Sequence, residues 1–244
     1  MAEKFFSGVG RTIQHLQQGK DRQRPELKEL DPQLALLRTW QAERLSKTYA
    51  DLMESKNFRP ACEFFLNDIY APRDFSQRDQ DFVHIYDLAS RFIPESFLEL
   101  FKALLELNNL TNQLDLLLLE ALIGPLGLTD QAHPGITPAL YAQAYRICDN
   151  YADRKYQIDL LAAVINDVGM GARDPLVWPT LQLARIPAGL GGWNELYDFA
   201  THGYQAFHAM RHPGVFSSTI QKREMTILDR IFAGDDDPFE IIKG

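Results

Sequence analysis

The chain has 244 residues, of which 45% are hydrophobic and 24% are charged, and its net charge is −8. These are ordinary values for a globular protein long enough to bury a large core. The acidic balance argues against general nucleic-acid binding, which needs a basic face. No apolar run is long enough to span a membrane or to serve as a signal-peptide core, so we expect a cytoplasmic protein without a transmembrane span.

The first 30 residues differ from the rest in charge. Residues 1–25 carry Lys4, Arg11, Lys20, Arg22 and Arg24 against Glu3 and Asp21, a net charge of +3, so the remaining residues carry −11. Residues 3–18 are weakly amphipathic and residues 19–31 are polar. We predict a basic arm and linker over residues 1–30. Residues 3–18 can contact an anionic membrane surface, dock on an acidic partner, or fold back on the acidic body of the chain.

Helical periodicity without strand alternation predicts an all-α bundle of about nine or ten helices, in a single domain over residues 31–234. We predict helices over residues 32–55, 60–70, 76–92, 94–123, 138–149, 151–168, 178–187, 194–211 and 218–233. Asn108, Asn109, Thr111 and Asn112 favour caps over helix interiors and predict a kink or break in the fourth helix. The Gly- and Pro-containing segment 124–136 predicts an internal boundary, and the acidic residues 235–244 predict a flexible tail.

Two cysteines, Cys62 and Cys148, lie among apolar neighbours and show neither a metal-site spacing nor a disulfide framework. We predict that both are reduced and buried, as small hydrophobic residues in a cytoplasmic protein.

The stretch C-E-F-F-L-N-D-I-Y at residues 62–70 is apolar around most of the helix. Such an arc is wider than the stripe of a surface helix and predicts a central position, although one aromatic edge could instead be exposed to a partner. The candidate partner or ligand surface comprises Phe64, Tyr70, Arg73, Asp74, Arg223 and Glu224.

Charged residues also border the apolar faces of the later helices. Arg154 lies one turn before Ile158 and Leu161, and Arg223 and Glu224 border the apolar face of the last helix. Buried charges must find partners, so we interpret these residues as ion pairs at helix crossings. The alternative is a charged group in a ligand cavity.

Candidate catalytic chemistry is sparse. His208 and His212 have the H-x-x-x-H spacing of zinc enzymes but lack the intervening glutamate, and we predict no metal site and no catalytic residue. Haem needs only one axial histidine between helices, and His84, His202 and His208 are weak candidates, so haem stays open although no cofactor is predicted.

These observations favour a non-catalytic helical protein that associates with a protein partner or with itself, for example as a homodimer. The alternative is a helical protein with an apolar pocket for haem or a lipid-like ligand. An enzyme with dispersed catalytic residues is the third possibility.

Several strings resemble a known family. E-F-F-L-N-D-I-Y at 63–70, L-R-T-W-Q-A-E-R-L-S-K-T-Y-A-D-L at 37–52, D-R-K-Y-Q-I-D-L at 153–160 and R-E-M-T-I-L-D-R-I-F-A-G at 223–234 are similar to the bacterial FFLEELY motif proteins. The resemblance covers residues 35–234 and implies a helical fold without an assigned activity. The family string has two glutamates where this chain has Asn67 and Asp68, which argues against a catalytic carboxylate pair at this helix.

Overall fold

The structure is a computed structural model that describes residues 32–70, 95–128, 135–191 and 194–240. In this part of the chain it contains α-helices and no β-strand, which confirms the all-α prediction. The helices are α1 (Pro32–Thr48), α2 (Ala50–Glu54), α3 (Arg59–Phe64), α4 (Glu95–Ile123), α5 (Pro138–Cys148), α6 (Tyr151–Gly171), α7 (Val177–Gly191), α8 (Asn194–His208) and α9 (Pro213–Ala233). The predicted helix 76–92 and the arm 1–30 lie outside the described residues.

Of the kink or break predicted near residue 110, the break is wrong, because α4 continues through it as one helix. Two of the polar side chains there, Thr111 and Asn112, bond to neighbouring helices. Gln157 Nε2 donates to Thr111 Oγ1 over 2.8 Å, and Arg38 Nη2 lies 3.4 Å from Asn112 Oδ1. Tertiary contacts therefore override the local preference of these residues for caps.

Three predicted boundaries also need correction. The first long helix is interrupted at Tyr49, where α2 begins anew. Pro187 does not end α7, which continues to Gly191. The last helix begins at Pro213 and not at Ser218. A proline suits the first helical position because its φ is already helical and because the backbone N–H at that position has no partner within the helix.

Other predicted ends are confirmed. Thr137 Oγ1 accepts a hydrogen bond from Leu140 N at 3.2 Å and caps α5. Gly234 ends α9 with φ of 79°, a left-handed conformation that glycine adopts without strain.

Two larger hydrophobic clusters hold the helices together, with a smaller one of Ala142, Ile227 and Ile231 between α5 and α9. The first joins α2, α3, α6, α8 and α9, and its core includes Phe64, Ile165, Phe207 and Phe216. The second joins α1, α4 and α5 around Leu37, Leu118 and Tyr141. The second also includes Leu128 and Ile136, which both lie within the segment 124–136 of the predicted boundary.

One helix contact leaves no room for a Cβ on its glycine, and a second leaves little. A Cβ on Gly169 of α6 would lie 2.3 Å from Pro213 Cβ at the start of α9. A Cβ on Gly203 of α8 would lie 3.3 Å from Phe64 Cζ. These contacts fix α9 against α6 and α3 against α8.

The segment after α3 changes its helical pitch. Residues Phe65–Ile69 form a π-helical turn, closed by a 2.9 Å bond from Tyr70 N to Phe65 O. Ala61, Cys62 and Phe64 are buried, as the central position of this helix predicts, whereas Phe65 is half-buried. A π turn adds a residue to one turn and redirects the side chains that follow it, and such turns are frequent at functional sites.

Residues 235–240, for which composition predicts a flexible tail, contact the second cluster. Pro238 is fully buried, and the ring of Phe239 lies 5.6 Å from Trp40 and 5.9 Å from Tyr141. The apolar Pro-Phe pair therefore anchors this end of the chain. Across the described helices, none is both long enough and apolar enough to cross a bilayer.

Candidate functional site

A large cavity lies among the helices, with a volume of about 1090 Å³. Its wall contains residues of both hydrophobic clusters and is mostly apolar. Ligand sites in proteins usually have volumes of about 300–1,000 Å³. The cavity is therefore large enough for a sizeable small molecule.

The facing sides of α4 and α6 form one wall, which we call the α4–α6 wall. The backbone oxygen of Leu114 accepts a hydrogen bond from Arg154, and the hydroxyl of Thr111 accepts one from Gln157. The two helices therefore run antiparallel there, since moving forward along α6 means moving backward along α4. From α6 the wall takes Arg154, Gln157, Ile158, Leu161, Val164, Ile165 and Val168. From α4 it takes Leu98, Leu100, Phe101, Leu104, Leu107, Asn108, Thr111, Asn112 and Asp115. The wall is polar from Asp115 to Asn108 on α4 and from Arg154 to Gln157 on α6, and apolar over the rest of its length.

A first group of polar side chains on the cavity wall is the Glu224 cluster, made of Arg44, Tyr49 and Glu224. Glu224 Oε1 accepts hydrogen bonds from Arg44 Nη1 at 2.5 Å and from Tyr49 Oη at 2.7 Å. Burial opposes the charge of Arg44, but attraction to Glu224 outweighs it and raises the pKa of the guanidinium above its usual value. Within the cluster, the negative charge of Glu224 therefore balances the positive charge of Arg44.

A second group is the Asp115 cluster, made of Gln41, Asp115, Tyr141, Tyr145 and Arg154. Gln41 Nε2 donates to Asp115 Oδ1 at 3.0 Å and lies 3.4 Å from Tyr141 Oη, which in turn lies 3.2 Å from Tyr145 Oη. The guanidinium of Arg154 stacks 4.5 Å from the centre of the Tyr145 ring. Burial raises the pKa of Asp115, although Arg154 and the bond from Gln41 act against this rise.

Arg154 is the most unusual member of this cluster, because it is a buried cation whose hydrogen bonds go to neutral oxygens. It is 3% exposed. Its Nη2 donates to the backbone oxygen of Leu114 at 2.8 Å, and its Nη1 donates to Gln157 Oε1 at 3.2 Å. Asp115 attracts it electrostatically, but neither of its two hydrogen bonds reaches a described carboxylate. Arg154 thus lies at the crossing of α4 and α6, as the ion-pair interpretation expects, and it also lines the cavity, as the alternative expects.

Three polar atoms of the described cavity wall are buried without a hydrogen-bond partner. They are Gln41 Oε1, Arg44 Nε and Arg154 Nε. Buried polar groups are normally paired, so each such atom calls for an explanation. Two of the three are guanidinium nitrogens, which donate hydrogen bonds. The wall therefore mainly lacks hydrogen-bond acceptors.

The structure brings together only some of the predicted surface residues. Phe64, Tyr70 and Glu224 all line the cavity, and burial raises the pKa of the Tyr70 hydroxyl. Arg223 instead lies outside it, where its Nη1 and Nη2 each donate to Asp51 over 2.7 Å. Arg73 and Asp74 lie outside the described residues.

Neither of the described histidine candidates reaches the cavity. His202 is exposed, with its Nδ1 at 3.0 Å from Asp68 Oδ1. His208 Nδ1 lies 2.7 Å from the backbone oxygen of Ala172, and its ring stacks on Tyr204. His84 lies outside the described residues. Within the part described, the cavity wall thus offers no imidazole to a haem iron, and no three His, Cys, Asp or Glu side chains meet as metal ligands would.

The cysteines occupy two environments. Cys62 is buried on the cavity wall, and burial raises the pKa of its thiol to about 11. Cys148 is only half-buried, with its Sγ at 3.5 Å from the backbone oxygen of Leu117. Both are free thiols, and the high pKa keeps Cys62 protonated and unreactive near neutral pH.

Sequence reasoning singled out Arg154 but missed Asp115 and Gln41. A signal for Asp115 was present, because it is the lone charge in the string Q-L-D-L-L-L-L at residues 113–119. No comparable sequence signal marks Gln41, since a glutamine on a helix is usually exposed.

Comparison with known proteins adds a family and no activity. The family model described as "Domain of unknown function (DUF8198)" matches residues 20–238. No curated protein and no solved structure matches the chain.

Proposed function

We propose that this chain, which belongs to the DUF8198 family, binds a small molecule with a long apolar body inside its helical bundle. The observation that carries the proposal is the cavity of about 1090 Å³ between the two hydrophobic clusters. Its wall has the composition of a ligand site, with mostly apolar side chains and a few buried polar groups that can orient a ligand.

The energetics of packing support an occupied cavity. Protein interiors are close-packed, and an unfilled internal space costs about 24 cal/mol per Å³. This cavity is partly open to the surface, so that full cost does not apply to it, but contact of its apolar wall with water is still unfavourable. Ordered water needs several polar partners per molecule, and the apolar part of this wall does not offer them. An apolar molecule suits this wall better than water does.

The length of the α4–α6 wall favours an extended ligand. From Arg154 to Val168 the helix rises about 21 Å at 1.5 Å per residue. The apolar side chains at every turn of α6 in this interval face those of α4. The π turn supplies the opposite side, because Phe65, Leu66 and Ile69 also line the cavity. The shape suits a chain-like molecule along the helices.

A chain-length series tests this proposal. We would titrate the protein with octanol, decanol and dodecanol below their aggregation limits and measure binding by isothermal titration calorimetry. Each buried methylene contributes about 0.8 kcal/mol, so affinity should rise about fourfold per methylene. A series in which affinity does not depend on chain length, or binding that does not saturate, would contradict a defined apolar site.

A matched pair of variants locates the binding. Ala200 of α8 is half-buried and lines the cavity, whereas Ala163 of α6 is exposed and does not. Ala200→Trp should weaken dodecanol binding because the indole takes up cavity volume, and Ala163→Trp should leave it unchanged. Equal effects of the two substitutions would place the ligand elsewhere.

Self-association is a second proposal, supported by an exposed apolar strip on neighbouring helices. Leu116, Leu117 and Ile123 of α4 and Ile147 of α5 are 53%, 40%, 36% and 42% exposed. Native mass spectrometry of the wild type and of Leu117→Glu would test it. A wild-type homodimer that the substitution dissociates supports the proposal, and a wild-type monomer contradicts it.

Two finer assignments belong to the same proposal. We place the protein in the bacterial cytoplasm, supported by its free thiols. We also identify the family with the FFLEELY motif proteins, supported by the position of the string at residues 63–70 in α3 and the π turn, which line the cavity. Fractionation of the native host and detection of the protein with the membrane or periplasm would contradict the first assignment.

A further inference from the structure

We propose that the ligand carries a carboxylate head group and that the Arg154 guanidinium receives it, with the apolar chain directed along the α4–α6 wall. This inference rests on the proposed function and adds to it the chemical class and orientation of the ligand.

Arg154 is already positioned to bind an anion. Its two terminal nitrogens donate to Leu114 O and Gln157 Oε1, and the Tyr145 ring stacks on the guanidinium. The side chain is thus held in place from three sides before any ligand binds. Its Nε is buried without an acceptor, and no described carboxylate forms an ion pair with it. A buried guanidinium of this kind is stabilised strongly by an anion with which it can share a hydrogen bond.

The surrounding charges favour a single negative charge on the ligand. Arg44 also faces the cavity, but Glu224 already neutralises it. Arg154, in contrast, donates only to neutral oxygens among the described residues, although Asp115 attracts it electrostatically. Asp115 lies in the same cluster, and although burial raises its pKa, an ionised Asp115 would repel a doubly charged phosphate more than a carboxylate. A cationic head group would meet Arg154 directly and be repelled.

The position of Arg154 fixes the direction of the ligand. It lies at one end of the wall, next to the first turn of α6, while Leu161, Ile165 and Val168 follow in the other direction. Beyond Gln157, which bonds to Arg154 itself, a head group at Arg154 leaves only apolar side chains of α6 along that path. The ligand class that fits is therefore a long-chain carboxylic acid.

A head-group series at constant chain length tests the inference on the wild-type protein. Dodecanoic acid, dodecanol and dodecylamine would each be titrated near neutral pH by calorimetry. A hydrogen bond to a charged group in a desolvated site should make the acid bind at least about tenfold more tightly than the alcohol. The amine should bind more weakly than the alcohol.

The same series separates this inference from the proposed function. If the acid and the alcohol bind equally well, the cavity is a ligand site but Arg154 does not select a carboxylate. If the amine binds best, the inference is wrong and the carboxylates of the wall select the ligand. If none of the three binds, the result contradicts both the proposed function and the inference.

Variants identify the residue responsible. Arg154→Gln should remove the preference for acid over alcohol while dodecanol still binds. The matched control Arg223→Gln removes an arginine whose partner is Asp51 outside the cavity, and it should keep the preference. Arg154→Lys retains the charge and serves if the glutamine variant does not fold, and it should still prefer the acid, though by a smaller factor. An Arg154→Gln protein that binds dodecanol and keeps the full preference would overturn the inference.

Discussion

The Arg44–Glu224 ion pair provides a quantitative test of how the polar part of the cavity wall contributes to stability. Both side chains are largely buried, with exposed fractions of 12% and 14%, and Glu224 also accepts the Tyr49 hydroxyl. Glu224→Met removes the acceptor of two donors at once. Breaking a buried ion pair by removing one partner costs about 3–5 kcal/mol. Because both side chains retain some exposure, we expect the loss to be near 3 kcal/mol.

The double substitution distinguishes the net energy of the ion pair from the cost of leaving one buried charge without its partner. Arg44→Met together with Glu224→Met replaces both charges with apolar side chains of similar length, and such replacements are often neutral or stabilising. We expect the double variant to lie within about 1 kcal/mol of the wild type, apart from the smaller cost of leaving the Tyr49 hydroxyl without an acceptor. Adding Tyr49→Phe should remove that remaining cost.

Urea unfolding of the wild type, the two single variants and the double variant completes the cycle. A loss of about 3 kcal/mol corresponds to a decrease in melting temperature of roughly 6–12 °C for a chain of this size. Destabilisation of the double variant by the sum of the two single losses would refute the reasoning, because it would show that the two charges act independently.

Three further predictions concern the core, the cavity and a helix crossing. Phe64→Ala should cost about 3–5 kcal/mol in urea unfolding because a buried ring is lost, and a cost below about 1 kcal/mol would contradict its central position. Asp115→Asn should raise the melting temperature near neutral pH, since the raised folded-state pKa of Asp115 means that its ionised form disfavours folding. That advantage should decrease as the pH falls through the raised folded-state pKa and vanish below about pH 3, where the carboxyl is neutral in both states, and a pH-independent difference would contradict the burial of this charge. Gly169→Ala should destabilise by about 1–3 kcal/mol because its Cβ meets Pro213, whereas Gly171→Ala, with nothing within 4 Å, should not, and equal effects would contradict the close crossing.

The sequence predicted the helices well because hydrophobic periodicity reports which side of each helix is buried. It predicted helix ends well where local chemistry decides them, as at Thr137 and Gly234. It failed at residues 108–112, because the polar side chains there bond to residues distant in sequence, such as Gln157. Local preferences cannot reveal a partner that only the fold brings near.

The cavity itself could not be predicted from the sequence. Apolar residues on a helix face indicate burial but do not distinguish a packed neighbour from a ligand, so Leu161 and Val168 read as ordinary core residues. Arg154 gave the clearest signal, as a cation on an apolar face, and the sequence left open whether an ion pair or a cavity explained it. Only the structure shows which groups lie near the guanidinium, namely Leu114 O, Gln157, the Tyr145 ring and the attracting Asp115.

The most direct test of the account is a crystal structure of the protein with ω-bromododecanoic acid, in which anomalous scattering locates the bromine at the end of the chain. We predict a bromine peak inside the cavity, beyond Leu161 on the α4–α6 wall, with the carboxylate at Arg154. A bromine peak at the Arg154 end would reverse the orientation and refute the head-group assignment. A peak on the outer surface, with side chains filling the space between α4 and α6, would contradict the proposed ligand site.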